Sequence, residues 1–227
     1  MASGLKSGSK TAGEDVPSLR ADASRNRERI LAVAREVFRE QGLSGSLQEV
    51  ARRTGVGIGT VYNRFGSREQ LIDAVYLDAV QRQLESTERA WAISDPWQAL
   101  IELLTDMAET MVTDKGFTDF CVTGYVPGSL TELTKRRGQE LGDAVIQRAK
   151  ESGQLRGDVG LADVLLLVWS TVAATERIRG ALPEAWKLHL AVLFDGLQAQ
   201  NAHLQPGTGL TADAIRQIVV QGGDAMT

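Results

Sequence analysis

SLQEVARRTGVGIGTVYNRFGSREQL, residues 46–71, carries two helix-start signals with a short, glycine-bearing helix between them. Ser46-Leu47-Gln48-Glu49 has the S-x-x-E form of a capping box, and Ser67-Arg68-Glu69-Gln70 has the S-x-x-Q form. In such a box the serine oxygen accepts the third helical N–H while the Glu or Gln reaches back to the cap. The first helix would bury Leu47, Val50 and Ala51 and stop near Thr54-Gly55, where glycine can turn left-handed. After a tight turn, Ile58 to Phe65 can form roughly two helical turns. Ile58, Val61 and Phe65 would face inward, and Thr60, Tyr62, Asn63 and Arg64 outward. So short a helix needs neighbours to hold it. Two helices about a tight turn, the second polar on its outer side, make a helix-turn-helix, whose second helix can enter a DNA major groove.

The run from Val56 to Leu71 resembles the recognition-helix region of TetR-family bacterial transcriptional regulators, V-x-x-x-T-L/V-Y-x-H/Y/R-F-x-S/T-K/R-E-x-L. Thr60, Tyr62, Phe65, Ser67, Arg68, Glu69 and Leu71 stand in that order. The resemblance runs from about Arg25 to Val75, under a quarter of the 227 residues. It implies an N-terminal three-helix helix-turn-helix DNA-binding domain and a C-terminal helical domain that binds an effector and dimerises.

The totals agree with such a chain. It is 43% hydrophobic and 24% charged, and its low proline count fits a helical chain. Cys121 is the single cysteine, so neither an intrachain disulfide nor a cysteine-based metal framework can form. No apolar run reaches 18 residues and the N-terminus has no apolar signal core, which points to a cytoplasmic protein with access to the nucleoid. The net charge of −4 is unevenly divided. Residues 18–70 hold ten arginines and six carboxylates, net +4, whereas residues 71–227 carry −8. A basic head suits phosphate, and an acidic body would be repelled by it.

Along the chain, residues 1–20 read as a disordered tail, rich in Ser, Gly, Lys and Ala. Residues 21–70 form the head, 71–204 the body and 205–227 a C-terminal extension with a short amphipathic piece from Thr211 to Val220. Ser24 can cap a helix from about Arg25 to Gln41. Arg20, Arg25, Arg27 and Arg29 would then be either solvated surface or a helix end touching the DNA backbone. A long helix should run from Ser67 to about Trp91, with Leu71, Val75, Tyr76 and Leu84 buried, and Asp95-Pro96 should cap the next. Lys115 to Pro127 reads as irregular. Helices then follow over 129–152 and 161–179, and a last one from Pro183. No strand pattern or internal repeat is visible. The fold class is all-α.

The resemblance places Tyr62 and Arg68 where backbone phosphates are contacted. Arg68 also lies at a helix N-terminus, which favours an anion. Ser46 and Ser67 are either further phosphate donors or caps alone. Thr60, Asn63 and Arg64 are candidates at the base edges, with Gln48 from the preceding helix, because Asn or Gln suits adenine and Arg suits guanine. Gly57 and Gly59 are poor helix residues. Their missing side chains either let the backbone approach DNA or, at Gly57, simply end the turn.

In the body, Trp97, Met107, Met111, Phe117, Phe120, Cys121, Tyr125, Val168 and Trp169 are candidate effector-pocket residues, with Thr175 and Glu176 as polar ones. Taken singly, each such residue is more often plain core than a ligand contact. Leu165 and Val172 on one helix, with Trp186, Leu190, Leu193, Phe194 and Leu197 on the next, are candidates for the dimer interface that the resemblance implies. The partners expected are double-stranded DNA with a palindromic operator, an unidentified small-molecule effector and a second copy of the chain. No cofactor, metal or membrane is expected. A dimer would place two recognition helices about 34–36 Å apart, one DNA turn. An effector that prefers another head spacing would weaken DNA binding by the same coupling factor.

Two readings compete. A regulator without an effector, controlled by a protein partner or constitutive, would have a filled body. An enzyme is poorly supported, because the only histidines are His189 and His203 and no nucleotide-binding glycine loop exists.

Overall fold

The computed structural model describes residues 15–123 and 126–203. Among them are α1 (Asp15–Gln41), α2 (Leu47–Thr54), α3 (Ile58–Phe65), α4 (Arg68–Ala92) and α5 (Pro96–Thr113). There follow α6 (Lys115–Thr123), α7 (Leu130–Glu151), α8 (Leu161–Glu176) and α9 (Ala185–Leu197). Among the described residues, extended pairing is limited to one bridge between Leu155 and Gln198. Residues 1–14 of the expected tail, Tyr125 and the extension from 205 lie outside the described residues.

Most helices begin where side-chain caps allow. Asp95 accepts the Gln98 N–H at 2.8 Å, with Pro96 opening α5, and Ser129 accepts the Glu132 N–H at 3.1 Å to start α7. Three expectations need correction. α1 starts at Asp15, not near Arg25, and Ser24 lies inside it, donating to the Glu28 carboxylate. Pro17 falls in the first turn, where proline is tolerated, and nothing between there and Arg25 breaks a helix. The segment after Lys115 is helical through Thr123, because Asp114 accepts the Phe117 N–H at 2.9 Å and so caps α6. Ile58, expected inward, is an exposed residue at the first position of α3.

α4 is the spine. It starts in the head beside α1 and α3, and continues along α7 and α5 in the body. One hydrophobic core runs through both parts, from Ile30, Val37 and Phe38 to Val164, Val168 and Leu190. α6 joins them, packed against α1 and the turn at Gly42–Ser44. There the Asp119 carboxylate accepts the Leu43 N–H at 2.9 Å. Burial pushes Asp119 above the usual carboxylate range. Tyr76 of α4 stacks on Phe120 at 5.0 Å between centroids and donates to Asp114 at 3.3 Å. At the far end, α8 packs on α9.

Candidate nucleic-acid interface

Local chemistry builds the head. Ser46 accepts the Glu49 N–H at 3.2 Å, starting α2. The expected reciprocal bond is absent from the hydrogen bonds of this cap. The Glu49 carboxylate instead accepts from Arg52 and Arg53 at 2.7 Å, and Arg53 also reaches Glu40 at 2.8 Å. These guanidinium bonds hold Glu49 at about 2, well below the usual carboxylate range. The Ser46 hydroxyl donates to Gln48 Oε1 at 3.0 Å. Gly55 ends α2 at φ +70°, a left-handed conformation that glycine favours. Ser67 accepts the Gln70 N–H at 3.2 Å, starting α4.

Between these caps, Val61 and Phe65 pin α3 to the core. Gly57, Gly59, Thr60, Tyr62, Asn63 and Arg64 are all exposed, as are Ser46 and Gln48 at the start of α2. Tyr62 stands 47% exposed, which is high for a large ring. Gly59 has open space where a Cβ would stand, and the nearest neighbour to such an atom at Gly57 is Thr60 Oγ1 at 3.9 Å. Gly57 has an ordinary extended backbone, φ −69°. Neither glycine is required by the chain's own packing.

Arg68 stands apart from this exposed set. Its guanidinium donates to the carbonyls of Leu43 and Gly45, the latter at 2.8 Å, and lies 5.6 Å from the Phe38 ring centroid. It ties the start of α4 to the turn before α2. A half-buried guanidinium holding two carbonyls has fewer donors left for phosphate.

Most of the described candidate pocket residues lie in the core of the body or against it. Met111, Phe117, Phe120, Val168 and Thr175 are buried in the core, and Trp97, Met107, Cys121 and Trp169 are half-buried. Thr175 donates to the carbonyls of its own helix, and Glu176 is exposed and paired with Lys115 at 3.3 Å. Burial of its sulfur pushes the Cys121 thiol up to about 12. Two recesses open elsewhere. One of about 290 Å³ is bordered by Trp97 and the Gln198–Gln200 segment. The other, about 460 Å³, lies between Trp91 and Arg137. Of the predicted lining residues, only Trp97 borders either.

The interface candidates lie on α8 and α9. Val172, Trp186, Leu190 and Leu197 are buried within this one chain, with Leu165, Leu193 and Phe194 half-buried. The four buried ones anchor α8 and α9 to their own core, while the half-buried three keep part of their surface open. On α8, α9 and the loop between them, the large apolar side chains left in water are Leu167, Ile178, Leu182, Leu188 and Val192, the last three 60%, 69% and 65% exposed. Their trace in the sequence is Leu188 and Val192, four apart and offset from the Trp186–Leu190 stripe.

Two family models cover most of this architecture. The model of bacterial regulatory proteins of the tetR family matches residues 30–75, which hold α2, α3 and the start of α4. The C-terminal domain of the SbtR-like transcriptional regulator matches residues 95–199. The chain belongs to the TetR family of bacterial transcriptional regulators. This TetR-family chain is 26% identical over 157 residues to the HTH-type transcriptional regulator UidR of Escherichia coli K12, covering 64% of the chain and 76% of UidR. It is 25% identical to the TetR-family regulator PfmR from Thermus thermophilus, with a TM-score of 0.53 over 74% of this chain and 96% of that one. FadR from Bacillus subtilis in complex with stearoyl-CoA shares the fold, with a TM-score of 0.51, 16% identity, and coverage of 78% of this chain and 99% of FadR. The family and these relatives are transcriptional regulators, so the chain is a helix-turn-helix DNA-binding regulator and not an enzyme. No described helix is long and apolar enough to cross a membrane.

Proposed function

We propose that this chain is a dimeric repressor whose two α3 helices read the halves of a palindromic operator, and which a small-molecule effector releases. The observation that carries the DNA reading is the outer side of α3. There Thr60, Tyr62, Asn63 and Arg64 stand exposed on a helix pinned by Val61 and Phe65, beside two glycines that the fold does not need. Thr60, Asn63 and Arg64 address base edges, with Gln48 reaching from α2, while Tyr62 meets phosphate. Ser46 and Ser67 act first as caps, since each hydroxyl oxygen is already bonded to a helix N–H. Arg68 acts by holding the turn before α2. The head takes residues 21–70 and the body 71–204, with α4 crossing the boundary.

The second copy joins through the exposed apolar residues of α8, α9 and the loop between them. The effector reading is supported by membership of the family and by FadR, whose similar fold is seen with stearoyl-CoA. The packed core around Phe117, Phe120 and Val168 favours a second reading, regulation by a protein partner or constitutive binding. Under the effector reading, the packed form is the one without ligand, and the pocket opens in a second state.

A binding-site selection from random duplexes, with purified protein at one stated salt concentration, tests the proposal. Recovery of a palindrome supports the dimeric reader and supplies the probe for effector screening. Retention without a consensus, falling as salt rises, would refute sequence-specific reading.

A further inference from the structure

We propose that Arg27 is a phosphate anchor of the head, holding the DNA strand that borders the groove at the C-terminal end of α3. The inference rests on the reading of α3 as the recognition helix. Arg27 lies before Ile30, where the family match begins, on the part of α1 that runs back to Asp15. Its guanidinium carbon stands 5.2 Å from the ring centroid of Phe65, the last residue of α3. Phe65 is buried and Arg27 is exposed, so the cation lies over the ring at the edge of the core.

Stacking on a ring uses the face of a guanidinium and leaves its N–H edges for an anion. Arg25 is paired with Asp22, and Arg52 and Arg53 with Glu49. Among the described residues Arg27 takes part in no ion pair. Arg29 and Arg64 are likewise exposed and outside any ion pair among the described residues, but of these cations only Arg27 lies over the Phe65 ring. Phe65 thus fixes the position of a cation whose charge the protein leaves unneutralised.

Position supplies the partner. α3 has eight residues, about 12 Å of helix, which is close to the major-groove width of about 12 Å. A cation held on the last residue of a helix that lies in the groove stands beside the backbone bordering that groove, whereas Thr60 and Asn63, on the exposed side of α3, address bases. Arg27 therefore contributes affinity and register but no sequence preference.

The test uses the full-length protein and the selected operator, with affinity measured across a salt series. Arg27→Leu keeps apolar cover on Phe65 and removes the charge, and Arg27→Lys keeps the charge. In Arg27→Leu the slope of log K against log salt should fall by about 0.9 per bound protomer. Its thermal midpoint and preferred sequence should stay those of the unsubstituted protein, and Arg27→Lys should keep the original slope. An unchanged slope in Arg27→Leu overturns the proposal. So does a loss of binding that tracks a lowered thermal midpoint in both variants, which would make Arg27 a cover for Phe65 only. Failure of the underlying reading looks different: the unsubstituted protein itself would then yield no operator.

Discussion

Gly59 sits inside α3 with open space where its Cβ would be, and it is absent from the chain's positive-φ residues. A helix interior penalises glycine by about 0.8–1 kcal/mol relative to alanine. Gly59→Ala should therefore raise the thermal midpoint while weakening operator binding, if the backbone approaches DNA there. A stabilised variant with unaltered affinity would show that the glycine does not serve close approach. Arg68 invites the opposite expectation. Its bonds to the Leu43 and Gly45 carbonyls are of the charged kind, worth about 1.5–3 kcal/mol. Arg68→Ala should lower stability in chemical denaturation by about that amount and leave the salt slope of DNA binding unchanged; a reduced slope at unchanged stability would return Arg68 to the phosphate. The sequence made the outward side of α3 legible, because Val61 and Phe65 set its register. It could not reveal the commitment of Arg68, whose acceptors lie more than twenty positions away and form only when α4 docks on the turn before α2.

Caps made most elements legible, and where a cap was hidden the reading slipped. Asp114, not a serine or an Asp-Pro pair, starts α6, and Gly116, two residues on, looks like a breaker. Packing explains that glycine. A Cβ at Gly116 would overlap the Tyr76 hydroxyl and stand 2.7 Å from the Phe38 carbonyl oxygen. Gly116→Ala should push α6 away from α1 and α4 and cost about 1–3 kcal/mol, as overpacking does, read as a lowered denaturation midpoint. An α2 prediction concerns pH. Glu49 titrates at about 2 in the folded chain against 4.5 ordinarily, chiefly through Arg52 and then Arg53. Its ionised form therefore favours the folded state. That contribution is complete above about pH 4.5 and fades as pH falls towards 2. Glu49→Gln should flatten the dependence of the thermal midpoint on pH across that window; an unchanged acid profile would mean that the exposed pairs are too well solvated to matter.

At the scale of the molecule, hydropathy picked out the helices α8 and α9, and burial in the single chain divides their apolar residues into two sets. The stripe of Trp186, Leu190 and Leu197 is the more apolar, and for that reason it is spent on the chain's own core. A helix that must anchor to its own core and also meet a second copy needs two apolar sides, and only the folded chain shows which side is left over. Leu182, Leu188 and Val192 are that remainder. Covering a leucine or valine is worth about 1.5–3 kcal/mol each, so a face of several such residues, doubled by two-fold symmetry, can hold two copies together. Leu188→Glu with Val192→Glu places charge on side chains that already meet water in the single chain, so the fold and its circular dichroism should survive. Sedimentation should then report a monomer, and binding to a palindromic operator should fall to the level of a single half-site. A double variant that remains dimeric and binds the full operator would move the interface off α9. Because each head contributes its own phosphate contacts, the same variant should also show about half the salt slope of the intact dimer, linking the assembly to the DNA reading in one experiment.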